Sequence, residues 1–139
     1  MKLNAVRSVV GGRRIVLVDD SIVRGTTSKK LVRLLKGVGA TEVHMRISSP
    51  PTRHPCQYGI DTPRRRELIA ATEELEGIRR FVEADTLGYL SLEGMLKAFG
   101  RGEGESCAAC FSGNYPVPFA TVDDQRLLFD GPAGPRDGP

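Results

Sequence analysis

The segment that decides the fold is Val16-Leu17-Val18-Asp19-Asp20-Ser21-Ile22-Val23-Arg24-Gly25-Thr26-Thr27-Ser28. It begins within an apolar, β-favouring run at residues 15–18, which predicts a strand covered on both faces in a parallel sheet. Two carboxylates follow this strand, and a short loop rich in hydroxyl groups then opens into a helix. Because α/β proteins bind ligands at the carboxyl ends of parallel strands, the segment predicts an α/β fold and a binding site together.

The residues after this segment predict a helix and a second strand. From Thr27 the apolar residues recur with a helical period, so we expect a helix that ends near Gly37 or Gly39. Residues 43–47 alternate between apolar and polar, which predicts a strand with one buried face. Strand, helix and strand form a βαβ unit with parallel strands and a right-handed crossover. The side chains predicted to be buried are Leu31, Leu34, Leu35 and Val38 in the helix and Val43, Met45 and Ile47 in the strand.

Helices are predicted again after a long irregular connection that runs from Pro50 to about Pro63. A short helix is expected over 64–71, a second after a cap at Thr72, and a third between a cap at Ser91 and Gly100. Residues 131–139, which are rich in glycine and proline, predict a disordered tail. The second of these helices is expected to bury Leu75, Ile78, Phe81 and Val82, and the third Leu92, Met95, Leu96 and Phe99.

Composition and charge exclude several classes of protein. The chain has 139 residues, 40% hydrophobic and 27% charged, as is typical of a globular domain. No apolar run approaches the roughly 20 residues that cross a bilayer, and no secretory signal is present, which predicts a cytoplasmic protein. The net charge of +3 combines a balance of +10 in residues 1–66 with −7 in the rest. A basic half suits phosphorylated ligands or nucleic acid, although solvated helix faces also explain most charge runs.

The turn after the first strand predicts a site for a sugar phosphate. Backbone N–H groups at the start of the helix, with the hydroxyls of Thr26, Thr27 and Ser28, form a cradle for a phosphate dianion. Asp19 and Asp20 are hard oxygen acceptors, which suit sugar hydroxyls or a Mg²⁺ ion that carries a diphosphate. Phosphoribosyl diphosphate (PRPP) satisfies both halves. The alternative is a pair of solvent-facing acids before an ordinary helix cap, and a P-loop is excluded because no Gly-Lys-Ser/Thr follows.

The three cysteines leave several kinds of chemistry open. Cys107 and Cys110 have the spacing with which one turn presents two thiolates to a metal, and Cys56 could supply a third. A zinc site, a redox dithiol and plain buried thiols all fit this pattern. Since no secretion signal is present, a disulfide framework is disfavoured.

These motifs, taken in order, resemble those of a known family. Residues 16–27 resemble the PRPP motif of type I phosphoribosyltransferases. With the flanking motifs, the chain resembles the amidophosphoribosyltransferases, the glutamine-dependent enzymes that make 5-phosphoribosylamine, glutamate and diphosphate in the first step of de novo purine synthesis. The resemblance covers about residues 2–118, and its further motifs are 2–4, 46–51, 56–61, 84–87, 89–94 and 107–116.

The resemblance implies a partial type I phosphoribosyltransferase fold, a Rossmann-like parallel sheet followed by a helical region. Residues 1–130 would form the carboxyl-terminal portion of that domain. Mg²⁺ and the ribose hydroxyls would be bound by Asp19 and Asp20. The similarity to the iron–sulfur branch implies a 4Fe-4S cluster on Cys56, Cys107 and Cys110. The family's fourth ligand comes from earlier in its chains and is missing here, so a cluster would be incomplete or would use a non-cysteine ligand such as His54. The residues that would hold the 5′-phosphate are Ser21, Ile22, Val23, Arg24, Gly25, Thr26 and Thr27.

The family also implies what this chain would need from elsewhere. A glutaminase domain with its cysteine nucleophile, and earlier strands of the sheet, precede the PRPP motif in the family, so we expect no catalytic nucleophile in this segment. The expected partner is the remainder of the enzyme, in a homo-oligomer, and neither membrane nor nucleic acid is expected. We expect the isolated chain to be inactive and prone to aggregation. The competing hypotheses are a PRPP-sensing regulator that binds nucleic acid, which the basic half favours, and a zinc-binding interaction module.

Overall fold

A three-stranded parallel sheet forms the centre of the computed structural model, which describes residues 4–100 and 104–117. The strands are β1 (Arg14–Asp19), β2 (Glu42–Ile47) and β3 (Thr86–Tyr89), in that spatial order. β1 pairs with β2 from Arg14 opposite Glu42 to Asp19 opposite Ile47. The helix α2 (Thr26–Gly37) connects these two strands, which confirms the α/β class, the parallel βαβ unit and the predicted end of the helix.

The remaining helices are short and differ in part from the prediction. The single helix expected over 64–71 is a 3₁₀ turn and a helix, separated by the fully buried Leu68. Thr72 ends a helix rather than capping the next, and its hydroxyl donates to the Ile69 carbonyl. In the described residues no helix is long and apolar enough to cross a membrane. The elements are α1 (Arg7–Val10), the 3₁₀ turn (Arg65–Glu67), α3 (Ile69–Thr72), α4 (Leu75–Val82), α5 (Leu92–Ala98) and α6 (Ala109–Ser112).

The region after β3 agrees with the prediction at both ends of α5, but of the four side chains expected to be buried there only Met95 is buried, and Phe99 is 64% exposed. The Ser91 hydroxyl accepts a hydrogen bond of 3.0 Å from the Gly94 N–H, as an N-cap side chain does. Gly100 follows the helix with φ of 63°, the left-handed conformation expected at this position. The tail predicted for 131–139 lies outside the described residues.

The core lies between one face of the sheet and the helices α2 and α4. Val43, Met45 and Ile47 are buried there, as predicted from their alternation. In α2 the prediction was wrong: Val32 and Ser28 are the buried residues, whereas the predicted leucines and Val38 are half-buried. In α4, Ile78 and Val82 are buried as expected, but Leu75 and Phe81 are exposed.

The other face of the sheet is open along β1, which corrects the prediction of a strand covered on both sides. Val16 and Val18 are 63% and 68% exposed. They alternate with the half-buried Ile15 and Leu17, which share the face of Val43 and Met45. The apolar run therefore contains two valines that no described residue covers, and β1 lies at the edge of the described sheet.

Charged side chains join the two helices behind the site. The Glu83 carboxylate, just after α4, accepts a 2.8 Å hydrogen bond from Arg33 Nε and lies 3.3 Å from Lys29 Nζ. These cations lower the pKa of Glu83 to about 2, with the hydrogen bond from Arg33 as the largest cause. Glu83 thus tethers the end of α4 to α2, whose first turn forms part of the site described next.

Candidate functional site

The two adjacent aspartates end β1 at the carboxyl edge of the sheet. Asp19 Oδ1 accepts the Asp20 N–H at 3.1 Å, and Asp20 Oδ1 accepts the Ser21 N–H at 2.8 Å. The Asp19 carbonyl accepts the Ser48 N–H at 2.9 Å, which fixes the strand end to the residue after β2. The backbone N–H groups of Asp20 and Ser21 thus hold each carboxylate by one of its oxygens.

Burial affects the two carboxylates differently. Asp19 is half-buried and Asp20 is exposed. Burial raises the pKa of the Asp19 carboxyl, and repulsion from the Asp20 carboxylate contributes to the rise. Two hard oxygen donors whose mutual repulsion a cation would relieve form a chemically suitable pair for Mg²⁺.

A single cavity of ≈290 Å³ joins these carboxylates to the turn that follows them. The side chain of Ile22, one of the predicted phosphate-binding residues, is 2% exposed and belongs to the core, so only its backbone is available to a ligand. Ser28, whose hydroxyl was predicted to be part of the phosphate cradle, lies on the cavity wall. The lining residues are Asp19, Asp20, Ser21, Val23, Arg24, Gly25, Thr26, Thr27 and Ser28.

The amino-terminal end of α2 forms the wall opposite the carboxylates. Gly25 is the N-cap residue, with φ of 75° and ψ of −9°, and no side chain caps the helix. The first N–H groups of a helix have no partners within it, so those of α2 are available to an anion. The first turn contains no acidic residue that would oppose a phosphate.

Residues far along the chain support this turn, and no local sequence pattern indicates their contact with it. The Ile69 N–H donates to the Val23 carbonyl at 2.9 Å. A Cβ atom on Gly25 would lie 3.0 Å from the Phe81 ring and 3.1 Å from the Ile69 side chain. Lys29 Nζ lies 4.8 Å from the centre of the same ring. The turn between β1 and α2, which would hold the phosphate, therefore packs against α3 and α4.

The cysteines lie in a second region, where the connection after β2 meets α6. The N–H groups of Arg53 and His54 both donate to the Cys110 carbonyl at 3.0 Å, and the Tyr115 hydroxyl donates to the Pro55 carbonyl at 2.6 Å. Cys56 and Cys110 are half-buried, Cys107 is exposed, and all three are free thiols. Burial raises the pKa of the Cys110 thiol, and the charges of Cys107 and Cys56 raise it further.

The three thiols therefore share one region, but they do not form a finished metal site. Within residues 4–100 and 104–117, no group of three or more His, Cys, Asp or Glu side chains is arranged to hold a metal ion. An iron–sulfur cluster with four cysteine ligands would also exceed the three that the sequence contains. The chain by itself thus does not fit a complete cluster.

Comparisons with known proteins agree with this architecture. No family model matches the chain. It is 58% identical over 121 residues to the amidophosphoribosyltransferase of Bacillus subtilis (strain 168), an alignment that covers 84% of this chain and 25% of that protein.

Two solved structures share the fold. The glutamine PRPP amidotransferase from B. subtilis, complexed with ADP and GMP, has a TM-score of 0.81 and 56% identity and covers 88% of this chain and 28% of its own. A structure of the allosteric regulatory enzyme of purine biosynthesis has a TM-score of 0.81 and 55% identity, covering 88% of this chain and 27% of its own. The chain spans about a quarter of the length of these relatives. It is therefore homologous to a segment of the amidophosphoribosyltransferases, with which it shares both sequence and the phosphoribosyltransferase fold.

Proposed function

We propose that this chain is the PRPP-binding part of an amidophosphoribosyltransferase that acts in purine synthesis. The observation that carries the proposal is one cavity with two carboxylates on one wall and the uncapped end of α2 on the other. A 5′-phosphate fits the helix end, and the ribose hydroxyls fit the carboxylates. The activity would belong to the assembled enzyme, in a homo-oligomer, and we propose that this chain by itself does not turn over substrate.

The residues of the cavity would act by position and charge. Ammonia, released from glutamine elsewhere in the enzyme, would attack C1 of the ribose as the C1–O bond to diphosphate breaks. Positive charge would then develop on the ribose ring, and the fixed carboxylates of Asp19 and Asp20 would stabilise it. The N–H groups of the turn and of α2 would hold the 5′-phosphate and so orient the ring. A Mg²⁺ ion bound by these two carboxylates would neutralise the departing diphosphate.

Direct binding tests this proposal. When produced with the remainder of the enzyme, the chain should bind PRPP in the presence of Mg²⁺, measured by isothermal titration calorimetry without glutamine. It should bind PRPP at least about tenfold more weakly when EDTA removes the metal, because a charge-assisted contact is worth roughly 1.5–3 kcal/mol. Ribose 5-phosphate, which lacks the diphosphate, is the matched control and should show no dependence on Mg²⁺. Equal affinity for PRPP with and without Mg²⁺, or no binding at all, would contradict the proposal.

We also propose that Cys56, Cys107 and Cys110 are three of the four ligands of a 4Fe-4S cluster in the assembled protein. Their shared region supports this, and the fourth ligand would come from outside this chain. When produced with the remainder of the enzyme and purified without oxygen, the protein should be brown, with broad absorbance near about 400 nm. Substitution of Cys110 by serine should remove the colour, and a colourless wild-type protein with bound zinc would overturn the assignment.

A further inference from the structure

Arg24 belongs to two cavities at once. It lines the candidate PRPP cavity, and it also lines a neighbouring cavity of ≈430 Å³ together with Glu67. Its guanidinium Nη2 lies 3.4 Å from Glu67 Oε1, so the side chain points toward the segment before α3. The described structure therefore shows Arg24 at the rim of the cradle and paired with a carboxylate 43 residues away.

The position of Glu67 is set independently of Arg24. Glu67 Oε2 accepts the Arg64 N–H at 3.1 Å, and the Glu67 N–H donates to the Arg64 carbonyl at 2.8 Å across the 3₁₀ turn. The next residue, Leu68, is completely buried, and the Ile69 N–H holds the Val23 carbonyl. The carboxylate is thus fixed by its own backbone, and it presents a stationary partner to the arginine of the turn.

We propose that Glu67 competes with a phosphate dianion for the Arg24 guanidinium: without ligand, Glu67 pairs with the guanidinium at the rim of the cradle, and a bound phosphate takes its place. The side chains are 55% and 43% exposed, and an ion pair of this kind is weak. A phosphate offers a guanidinium two parallel, charge-assisted hydrogen bonds, which are stronger. Binding would therefore exchange one partner of Arg24 for another, and the inference rests on the proposed function for the identity of the ligand.

The exchange predicts that removal of the charge of Glu67 strengthens binding only when Arg24 is present. Glu67→Gln is the suitable change, because its amide oxygen can still accept the Arg64 N–H. The affinity for PRPP with Mg²⁺, measured by calorimetry, should increase about two- to fivefold, as expected for the loss of a competing exposed pair. In an Arg24→Gln background the same change should leave the affinity unaltered. Glu76→Gln, which removes an exposed pair with Arg79 outside both cavities, is the control.

The outcomes separate this inference from the proposed function. An equal gain with and without Arg24 would show a general effect of charge, and no gain would show that the two residues do not compete; either result overturns the inference. If none of these proteins binds PRPP, the proposed function fails. The wild type, Glu67→Gln, Arg24→Gln and the double variant are then titrated with inorganic phosphate. A gain that depends on Arg24 would then still support the exchange, and a lack of phosphate binding to all four would overturn it.

Discussion

The substitution Gly25→Ala should destabilise the protein strongly, although it adds only one methyl group to the candidate site. Gly25 has φ of 75°, a conformation that disfavours residues with a Cβ by about 1–2 kcal/mol. The new methyl group would also lie 3.0 Å from the Phe81 ring and 3.1 Å from Ile69, and such overpacking costs about 1–3 kcal/mol. We expect the free energy of unfolding to fall by about 2 kcal/mol or more, as measured by urea titration.

The same substitution should weaken PRPP binding beyond its effect on stability, because the turn must move to relieve the contact. Calorimetry at a temperature where the variant is folded should show at least about a tenfold loss of affinity, because the N–H groups that would donate to the phosphate are displaced. Gly37→Ala is the matched control, since Gly37 lies in α2 with no atom within 4 Å of a new Cβ. It should be neutral or stabilise the chain by about 0.5 kcal/mol. A Gly25→Ala variant with wild-type stability and affinity would contradict the packing described here.

The substitution Asp20→Asn should weaken the binding of PRPP with Mg²⁺ and leave the binding of inorganic phosphate unchanged or stronger. Loss of the carboxylate should reduce the Mg²⁺-dependent affinity for PRPP by about 10- to 100-fold, since one charge-assisted contact is removed. Inorganic phosphate without metal should bind as well as before or better, because a negative charge near the cradle has gone. Asp20 is exposed, so the thermal unfolding of the variant should change little.

Two further variants sharpen this second test. Asp19→Asn should reproduce the loss of PRPP affinity. Asp61→Asn removes an exposed charge from the irregular connection and should leave both ligands unaffected. If Asp20→Asn weakens phosphate and PRPP equally, the carboxylate acts on the fold rather than on a metal.

The wild-type protein should also show a pH dependence. Because burial raises the pKa of Asp19, the affinity for PRPP with Mg²⁺ should weaken as the pH falls, and it should do so at a higher pH than an ordinary aspartate would give.

The sequence was sufficient for the elements whose periodicity is strong. α2 and β2 were predicted because their apolar residues recur with a clear period, and β1 was predicted from its unbroken β-favouring apolar run. β3 was not predicted, because it has four residues and includes Gly88, so it lacks an alternating pattern of useful length. The burial of Val32 was missed because periodicity gives the width of an apolar stripe and not which edge of it faces the neighbouring helix.

Sequence reasoning identified the consecutive residues that share the cavity and missed the distant residues that pack behind it. The aspartates and the turn share one cavity, and thirteen consecutive residues were enough to suggest this. Glu67, Ile69 and Phe81 support the turn from more than 40 residues away, and nothing in their local sequence indicates that contact. Ile22 shows the reverse case, in which a residue inside a binding motif serves the core.

The exposed valines of β1 lie on the strand that carries the candidate site. The strand that ends in the two carboxylates is also the outermost one described, and Val16 and Val18 are open along one side of it. A protein segment that covers these valines would therefore pack on the same strand that ends in both carboxylates, on the face opposite to the core.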